Sequence, residues 1–377
     1  MLPAMNRELL TLEPSGIRRF TALARATPGC AMLTIGEPDL NTPEPIKTAC
    51  KQALDANKTH YPVNAGDLEL RQAVCAFEAA RNGYDYAESE VLITHGATEA
   101  LFVAMRGVLN PGDEVIVPTP AFGLYETIAR LAGAVMVPLD TARTGFQIDE
   151  AALRAAITPK TKLLVLNSPN NPTGVVYTQA TLEGVRRAVE GRPIFVLCDD
   201  VYSQLVYAPC PLFARFRALR EQLLVVQSFS KPYAMTGWRM GYLMGDARVI
   251  EKLLLYHAAT VVSVASYAQD ACIEALRQDV APTVRLYRAR RDRMLAALDA
   301  MGLPAARPEG AFYVFPSIAR YGLSSEEFCT RAITEGRVAA VPGSCFGAEG
   351  YIRLSYCCSA EQIDTALARL AAFLKTL

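Results

Sequence analysis

The sequence predicts an α/β fold: a central, mainly parallel sheet of seven strands with helices on both faces, joined to a smaller α+β part. Three observations carry this. From Glu90 to Gly245, short apolar runs alternate with stretches of helical character, the pattern of a sheet covered on both sides. The residues able to do chemistry follow the ends of those runs, where ligands bind in open α/β sheets. The chain has 377 residues, 51% of them hydrophobic, enough for two domains and a large buried core.

Charge and composition narrow the function classes. Lys plus Arg and Asp plus Glu each total 38, so no net field draws the chain to nucleic acid or to an anionic membrane. A small substrate, recognised locally, is expected. No apolar run is long enough to span a bilayer. The opening MLPAMNRELL lacks the basic and apolar regions of a signal peptide. Ten cysteines are scattered without C-x-x-C pairing, which suits small core residues in a reducing cytoplasm. His60, His95 and His257 are not at metal-ligand spacing, and no metal is expected.

Taken in order, residues 1–30 show no strong periodicity and read as an arm lying on something else. Pro14-Ser15-Gly16 is a turn, and a short helix starts at Ile17-Arg18-Arg19-Phe20. Thr34-Ile35-Gly36-Glu37-Pro38-Asp39 is a strand end broken by Gly and Pro. Pro45–Asn57 and Leu68–Arg81 read as helices. Between them Tyr61 precedes Pro62, which holds it in an extended loop.

The seven candidate strands are Val91–Thr94, Val115–Val117, Val135–Leu139, Leu163–Asn167, Ile194–Cys198, Leu223–Gln227 and Tyr242–Met244. After the first comes His95-Gly96-Ala97-Thr98. Glycine lets backbone approach a ligand, the following helix offers free N–H groups to a phosphate, and Thr98 adds a hydroxyl. After the second comes Thr119-Pro120-Ala121-Phe122-Gly123-Leu124-Tyr125, whose aromatics either pack in the core or stack on a flat ring. After the fourth comes Asn167-Ser168-Pro169-Asn170-Asn171-Pro172-Thr173-Gly174, turn chemistry by composition. After the fifth comes Asp199-Asp200-Val201-Tyr202. A carboxylate at the end of a buried strand is costly unless it is paired, and a protonated ring nitrogen is a suitable partner.

The sixth strand opens the stretch LLVVQSFSKPYAMTGWRMG, Leu223–Gly241. Lys231 at the mouth of a buried strand loses hydration, so its ammonium pKa falls. A lysine that is often neutral attacks carbonyls and forms a Schiff base. Ser228, Ser230 and Arg239 beside it would bind a phosphate. An aldehyde that also carries a phosphate is pyridoxal 5′-phosphate (PLP).

Beyond this, residues 246–282 read as helices and Arg285–Met301 as a long basic helix. Gly310–Phe315 and Arg337–Val341 read as strands. Gly350-Tyr351-Ile352-Arg353-Leu354-Ser355-Tyr356 sets an arginine in an apolar strand. A buried arginine needs an anion, either a structural carboxylate or a ligand. An amphipathic helix over about Ala360–Thr376 closes the chain.

The string S-F-S-K-P-Y-A-M-T-G-W-R-M-G resembles the PLP-attachment signature of the class I/II aminotransferases, the aspartate/aromatic aminotransferase-like family of fold type I. The other motifs follow in the family's order over nearly the whole chain. The resemblance implies transfer of an amino group between an amino acid and a 2-oxo acid, through a Lys231 aldimine and ping-pong half-reactions. It makes Lys231, Asp199 and Tyr202 catalytic, Asp199 on the ring nitrogen and Tyr202 on the ring oxygen. Gly96, Ala97, Thr98, Ser228, Ser230 and Arg239 become the phosphate site, with Phe122 in the stacking position. Asn171 serves both cofactor and substrate carboxylate, Gly36 offers backbone near that carboxylate, and Arg353 forks onto it. Tyr61 would reach the partner's phosphate, which implies a homodimer with shared sites. The large PLP-binding domain is expected over 46–282 and a discontinuous small domain over 1–45 with 283–377. Asp200 stands where the family commonly has Glu.

Other readings use the same residues. Ser228-x-x-Lys231 fits a Ser–Lys acyl enzyme, but the S-D-N and K-T-G those enzymes need do not occur. A β-eliminating C–S lyase on the same fold would share every residue named. For substrates, T-H-Y-P-V-N-A-G-D-L-E-L-R resembles bacterial aminotransferases acting on N-acetyl-diaminopimelate or aromatic substrates. Aspartate use needs a further cationic group, and the sequence does not identify one.

Overall fold

The structure is a computed structural model that describes residue 5, residues 7–10 and residues 12–377. The reading of the first residues as an arm falls partly on residues 1–4, 6 and 11, outside the described residues. In chain order the strands are β1 Ala31–Met32, β2 Val91–Thr94, β3 Glu114–Thr119, β4 Val135–Asp140, β5 Thr161–Asn167 and β6 Phe195–Asp199. They continue with β7 Leu223–Ser228, β8 Gly241–Gly245, β9 Tyr313–Val314, β10 Val338–Ala339, β11 Val341–Pro342 and β12 Ile352–Ser355.

Seven of them form one sheet in the order β2-β8-β7-β6-β5-β3-β4. All pairings are parallel except those of β8, which runs antiparallel to both β2 and β7. Each expected strand of the central region is present, within two residues at either end. The inner strands are buried along nearly their whole length, because helices cover both faces. Their side chains alternate between two apolar cores, as the two-residue period requires. Ile93, Leu164, Val196 and Val225 enter one core; Leu92, Leu163, Leu197 and Leu224 enter the other.

The reversal of β8 sets the site. Gly241, at its start, lies opposite both Thr94 at the end of β2 and Ser228 at the end of β7. Three chain segments therefore meet at one edge position, the carboxyl side where ligands of such sheets bind.

The chain's two ends share a further core. β1 pairs parallel with β10, and β11-β12-β9 form a three-stranded antiparallel sheet. Phe20 and Leu33 pack there with Phe312, Phe328, Ile333, Leu354, Ile363 and Phe373. The expected strands at 310–315 and 337–341 are shorter than read: the first holds the strand Tyr313–Val314 and an isolated bridge of Gly310 to Val206, and the second splits at Ala340. The helix read from Arg285 starts at Ala281, since Pro282 fits the first helical turn, where its missing N–H costs nothing. The helix read as short at Ile17 runs from Gly16 to Ala26. No helix among the described residues is long and apolar enough to cross a membrane.

Candidate active site

One cleft at the carboxyl side of the sheet gathers Gly36, Ala97, Thr98, Phe122, Asn171, Asp199, Tyr202, Ser228, Ser230, Lys231, Arg239 and Arg353. Two expected residues are not in its lining. Gly96 lies just behind it. A Cβ there would stand 2.5 Å from the Arg239 guanidinium, and φ is +76°, so only glycine lets the β2 turn and Arg239 approach each other. Tyr61 is 89% exposed and does not enter this chain's cleft.

Lys231 follows β7 and is partly buried; its Nζ donates to the carbonyl of Gly36 at 2.8 Å. Burial brings its ammonium down to about 8, with Cys357 and Glu37 opposing and Arg239 and Arg353 adding to the fall. The amine is thus far readier to lose its proton than an ordinary lysine. Gly36 sits under Tyr313, whose hydroxyl would lie 2.0 Å from any Cβ at that position. The Gly36–Asp39 loop is anchored from the far side by a two-pronged ion pair, Arg290 to Asp39 at 2.7 and 2.7 Å.

Asp199 ends β6 and is buried. Tyr125 donates to its Oδ2 at 2.6 Å, while Oδ1 is buried without a partner among the described residues. Burial raises the carboxyl to about 6, against the Tyr125 hydrogen bond, the backbone N–H of Val201 and the Lys231 charge. An unpaired carboxylate oxygen in such a place asks for a cationic N–H donor. Asp200 points elsewhere: it accepts from Tyr84 at 3.3 Å.

Asn167, at the end of β5, links this carboxylate segment to the next loop. Its Nδ2 donates to the Asp199 carbonyl at 2.9 Å and its Oδ1 accepts from the Asn171 N–H at 2.9 Å. Asn171 in turn accepts from Nη1 of Arg353 at 2.9 Å. Arg353 is buried, its Nη2 donates to the Thr34 carbonyl at 2.8 Å, and its Nε has no partner among the described residues. Its guanidinium lies between two rings, 4.5 Å from Tyr313 and 5.0 Å from Phe346. This arginine has no carboxylate partner among the described residues. Tyr202 shares a 3.0 Å hydrogen bond with the Tyr313 hydroxyl. Phe122 meets Tyr125 edge-on at 6.2 Å and lines the cleft.

Sequence reasoning named neither Tyr125, Asn167, Leu101, Val201 nor Tyr313 as site residues, yet all line the cleft. Tyr125 and Asn167 stood inside motifs already singled out; what could not be seen was that each reaches Asp199.

The residues fit PLP on the structure's own terms. The orphaned Asp199 oxygen suits a ring N–H, and a lysine with a lowered pKa suits an aldehyde. Ser228, Ser230, Arg239 and the helix start at Gly96 suit a phosphate.

A family model described as aminotransferase class I and II matches residues 28–370. The chain belongs to the class I and II aminotransferases. It is 41% identical over 375 residues to the probable N-acetyl-LL-diaminopimelate aminotransferase of Bacillus subtilis, covering 98% of this chain and 95% of that one. It is 37% identical to aromatic-amino-acid aminotransferase 2 of Thermococcus litoralis, covering 99% and 98%. Among solved structures it resembles the aspartate aminotransferase from Thermus thermophilus with maleate, with a TM-score of 0.94, 37% identity, and coverage of 99% and 100%. This aminotransferase is a fold type I enzyme that moves an amino group between an amino acid and a 2-oxo acid. Its family is generally PLP-dependent, and the β-elimination reading gains no support from the relatives.

Proposed function

We propose that this aminotransferase binds PLP in the cleft described and that Lys231 is the residue to which it attaches. The observation that carries the reading is the buried, unpartnered Oδ1 of Asp199 in the same cleft as a lysine of lowered pKa. When bound, the cofactor supplies an electron sink for loss of the substrate's α-proton and a carbonyl carbon that takes the amino group. Asp199 would keep the ring nitrogen protonated. Tyr202, held by Tyr313, and Asn171 would donate to the ring oxygen, and Phe122 would cover one ring face. Gly96, Ala97, Thr98, Ser228, Ser230 and Arg239 would hold the phosphate, joined by Tyr61 of a second copy.

Arg353 would take the substrate's α-carboxylate. Its Nη groups are already aimed by Asn171 and Thr34, and its Nε is still free. Gly36 would add backbone nearby. So held, the substrate presents its Cα–H to Lys231, whose Nζ takes the proton and later returns it.

We further propose a homodimer with shared sites. Tyr61, Val63, Val262 and Tyr267 are 89%, 58%, 48% and 39% exposed. Tyr61 and Tyr267 line one groove with Pro62, Val261 and Val264, and Val63 and Val262 stand beside its residues in sequence, a partly apolar surface that a second copy would cover. The domain division proposed remains 46–282 against 1–45 with 283–377. The core over one face of the large sheet draws only on residues between Ile46 and Val280, and both boundaries fall inside helices, Glu44–Asp55 and Ala281–Ala300. The ten cysteines are all unpaired, which supports the cytoplasm as its compartment.

For the side chain of the donor, the relatives' names point three ways. Among the described residues the cleft's cations are Lys231, Arg239 and Arg353, each with a role, and its remaining walls include Ile17, Leu101, Phe122 and Val201. The groove around Tyr61 brings no Lys or Arg among its lining residues either. We therefore place uncharged amino acids, aromatic ones included, above aspartate as donors.

The test is a half-reaction. PLP-loaded enzyme is mixed with alanine, phenylalanine, methionine, glutamate or aspartate, without any 2-oxo acid. Loss of the near-visible cofactor band, with one equivalent of 2-oxo acid per site, supports the reading. No conversion by any donor would count against PLP-dependent transfer here, and aspartate reacting fastest would count against the side-chain assignment alone.

A further inference from the structure

Behind the proposed phosphate site lies a buried pair that the mechanism above does not use. Glu99 stands in the first turn of the helix Gly96–Val108. Its Oε2 accepts the backbone N–H of His95 at 2.5 Å. Its Oε1 lies 2.7 Å from Nδ1 of His257, on the helix Ala247–Thr260. The side chains are 9% and 0% exposed, and His257 Nε2 is buried without a partner among the described residues. Neither residue lines the cleft, whereas Ala97 and Thr98, which directly precede Glu99, do.

A carboxylate that reaches back to the N-cap N–H is an ordinary stabiliser of a helix start. This helix start has a second duty, since its positive end must also receive a phosphate. A nearby carboxylate of full charge would work against that. The second Glu99 oxygen is instead taken by an imidazole from a distant part of the chain. A carboxylate only accepts, so Nδ1 carries the hydrogen. Burying that ring leaves Nε2 unsatisfied, a cost a leucine of similar size would avoid. The arrangement is explained if the hydrogen bond to Glu99 is needed.

We infer that His257 is a positioning residue for the cofactor phosphate: by donating to Glu99 it offsets the carboxylate's charge and keeps the Gly96–Thr98 turn set to receive the phosphate. The inference rests on the phosphate role proposed for that turn.

The experiment measures binding of PLP, and of pyridoxal, which lacks the phosphate, to cofactor-free protein. The readout is fluorescence of Trp238, the only tryptophan, which adjoins Arg239. His257→Leu should weaken PLP about ten- to a hundredfold while changing pyridoxal little. His257→Asn, which restores a donor at the Nδ1 position, should bind PLP nearly as wild type. Adding Glu99→Gln to His257→Leu should recover much of the loss, because the uncompensated charge is gone. If His257→Leu does not fold, Glu99→Gln alone decides: it should bind PLP at least as tightly as wild type, and tenfold weaker binding would overturn the inference. Equal losses for PLP and pyridoxal, no loss at all, or no recovery in the double variant would also overturn it. Failure of the wild-type chain to bind PLP would remove the phosphate reading itself, and the inference with it.

Discussion

Tyr125 donates its hydroxyl to Oδ2 of Asp199 at 2.6 Å and leaves Oδ1 buried with no donor among the described residues. The carboxylate is thus held by one oxygen and presented by the other. Without a cofactor this is a costly arrangement, and the cost depends on pH.

Burial has raised the Asp199 carboxyl from its ordinary value to about 6. A carboxyl whose folded pKa is raised favours the fold fully below its unfolded pKa, about pH 4, and loses that favour as pH rises through 6. Asp199→Asn should therefore stabilise the cofactor-free chain at pH 8 by on the order of 3 kcal/mol, with the gain fading toward pH 4. Transfer should slow by about a hundredfold or more, since Asn supplies no negative charge. Urea unfolding at the two pH values checks the first part; equal stability at pH 8 would contradict it. A transfer rate near wild type would remove Asp199 from the mechanism.

Arg353 is fixed by Asn171, Thr34 and the rings of Tyr313 and Phe346. Arg353→Lys keeps the charge but loses the fork and the flat stacking surface. Binding of amino and 2-oxo acids should weaken about ten- to a hundredfold, with a smaller effect on kcat. Steady-state kinetics separate the two. A fall in kcat with KM unchanged would show that Arg353 does not hold the carboxylate.

Tyr61 is exposed in one chain and, in the account given, completes the site of another. Lys231→Ala and Tyr61→Ala proteins, each strongly impaired, should regain activity when mixed, refolded and allowed to form hybrids. Each hybrid has one intact site, so equal mixing should return about a quarter of wild-type activity. No recovery in hybrids, or a fully active monomer by sedimentation, would contradict shared sites.

Much of this was legible before any coordinates. The seven central strands were, because strands buried on both faces must be continuously apolar; Leu223–Val226 and Leu163–Leu166 admit no other sheet environment. The residues after them were legible too, since Lys231, Asp199 and Arg353 are expensive to bury without a purpose. The short strands of the second sheet system were not. Tyr313–Val314 and Val338–Ala339 are two residues each, defined by what they pair with rather than by their own pattern. Contacts that depend on tertiary placement were also hidden: Tyr125 on Asp199, Asn167 between Asp199 and Asn171, and Phe346 against Arg353. The approach of Gly96 to Arg239 depends on β8 running backwards between β2 and β7, and no local pattern of Gly241–Gly245 announces that direction.

The amine of Lys231 sits at about 8 because burial, aided by Arg239 and Arg353, disfavours its charge. Only the neutral amine attacks an aldehyde. The rate of PLP attachment to cofactor-free enzyme should therefore rise about tenfold per pH unit below 8 and level off above it. Stopped-flow absorbance follows this. A rate still climbing steeply above pH 9 would mean an ordinary lysine.

Every role assigned in the cleft turns on which lysine carries the cofactor. PLP-loaded enzyme is reduced with borohydride, digested, and mapped by mass spectrometry. One phosphopyridoxyl group per chain is expected, on Lys231, and none on the Lys231→Ala variant, which should still take up PLP without a covalent bond and lose transfer by several powers of ten. A tag on another lysine, or full transfer by Lys231→Ala, would contradict that assignment.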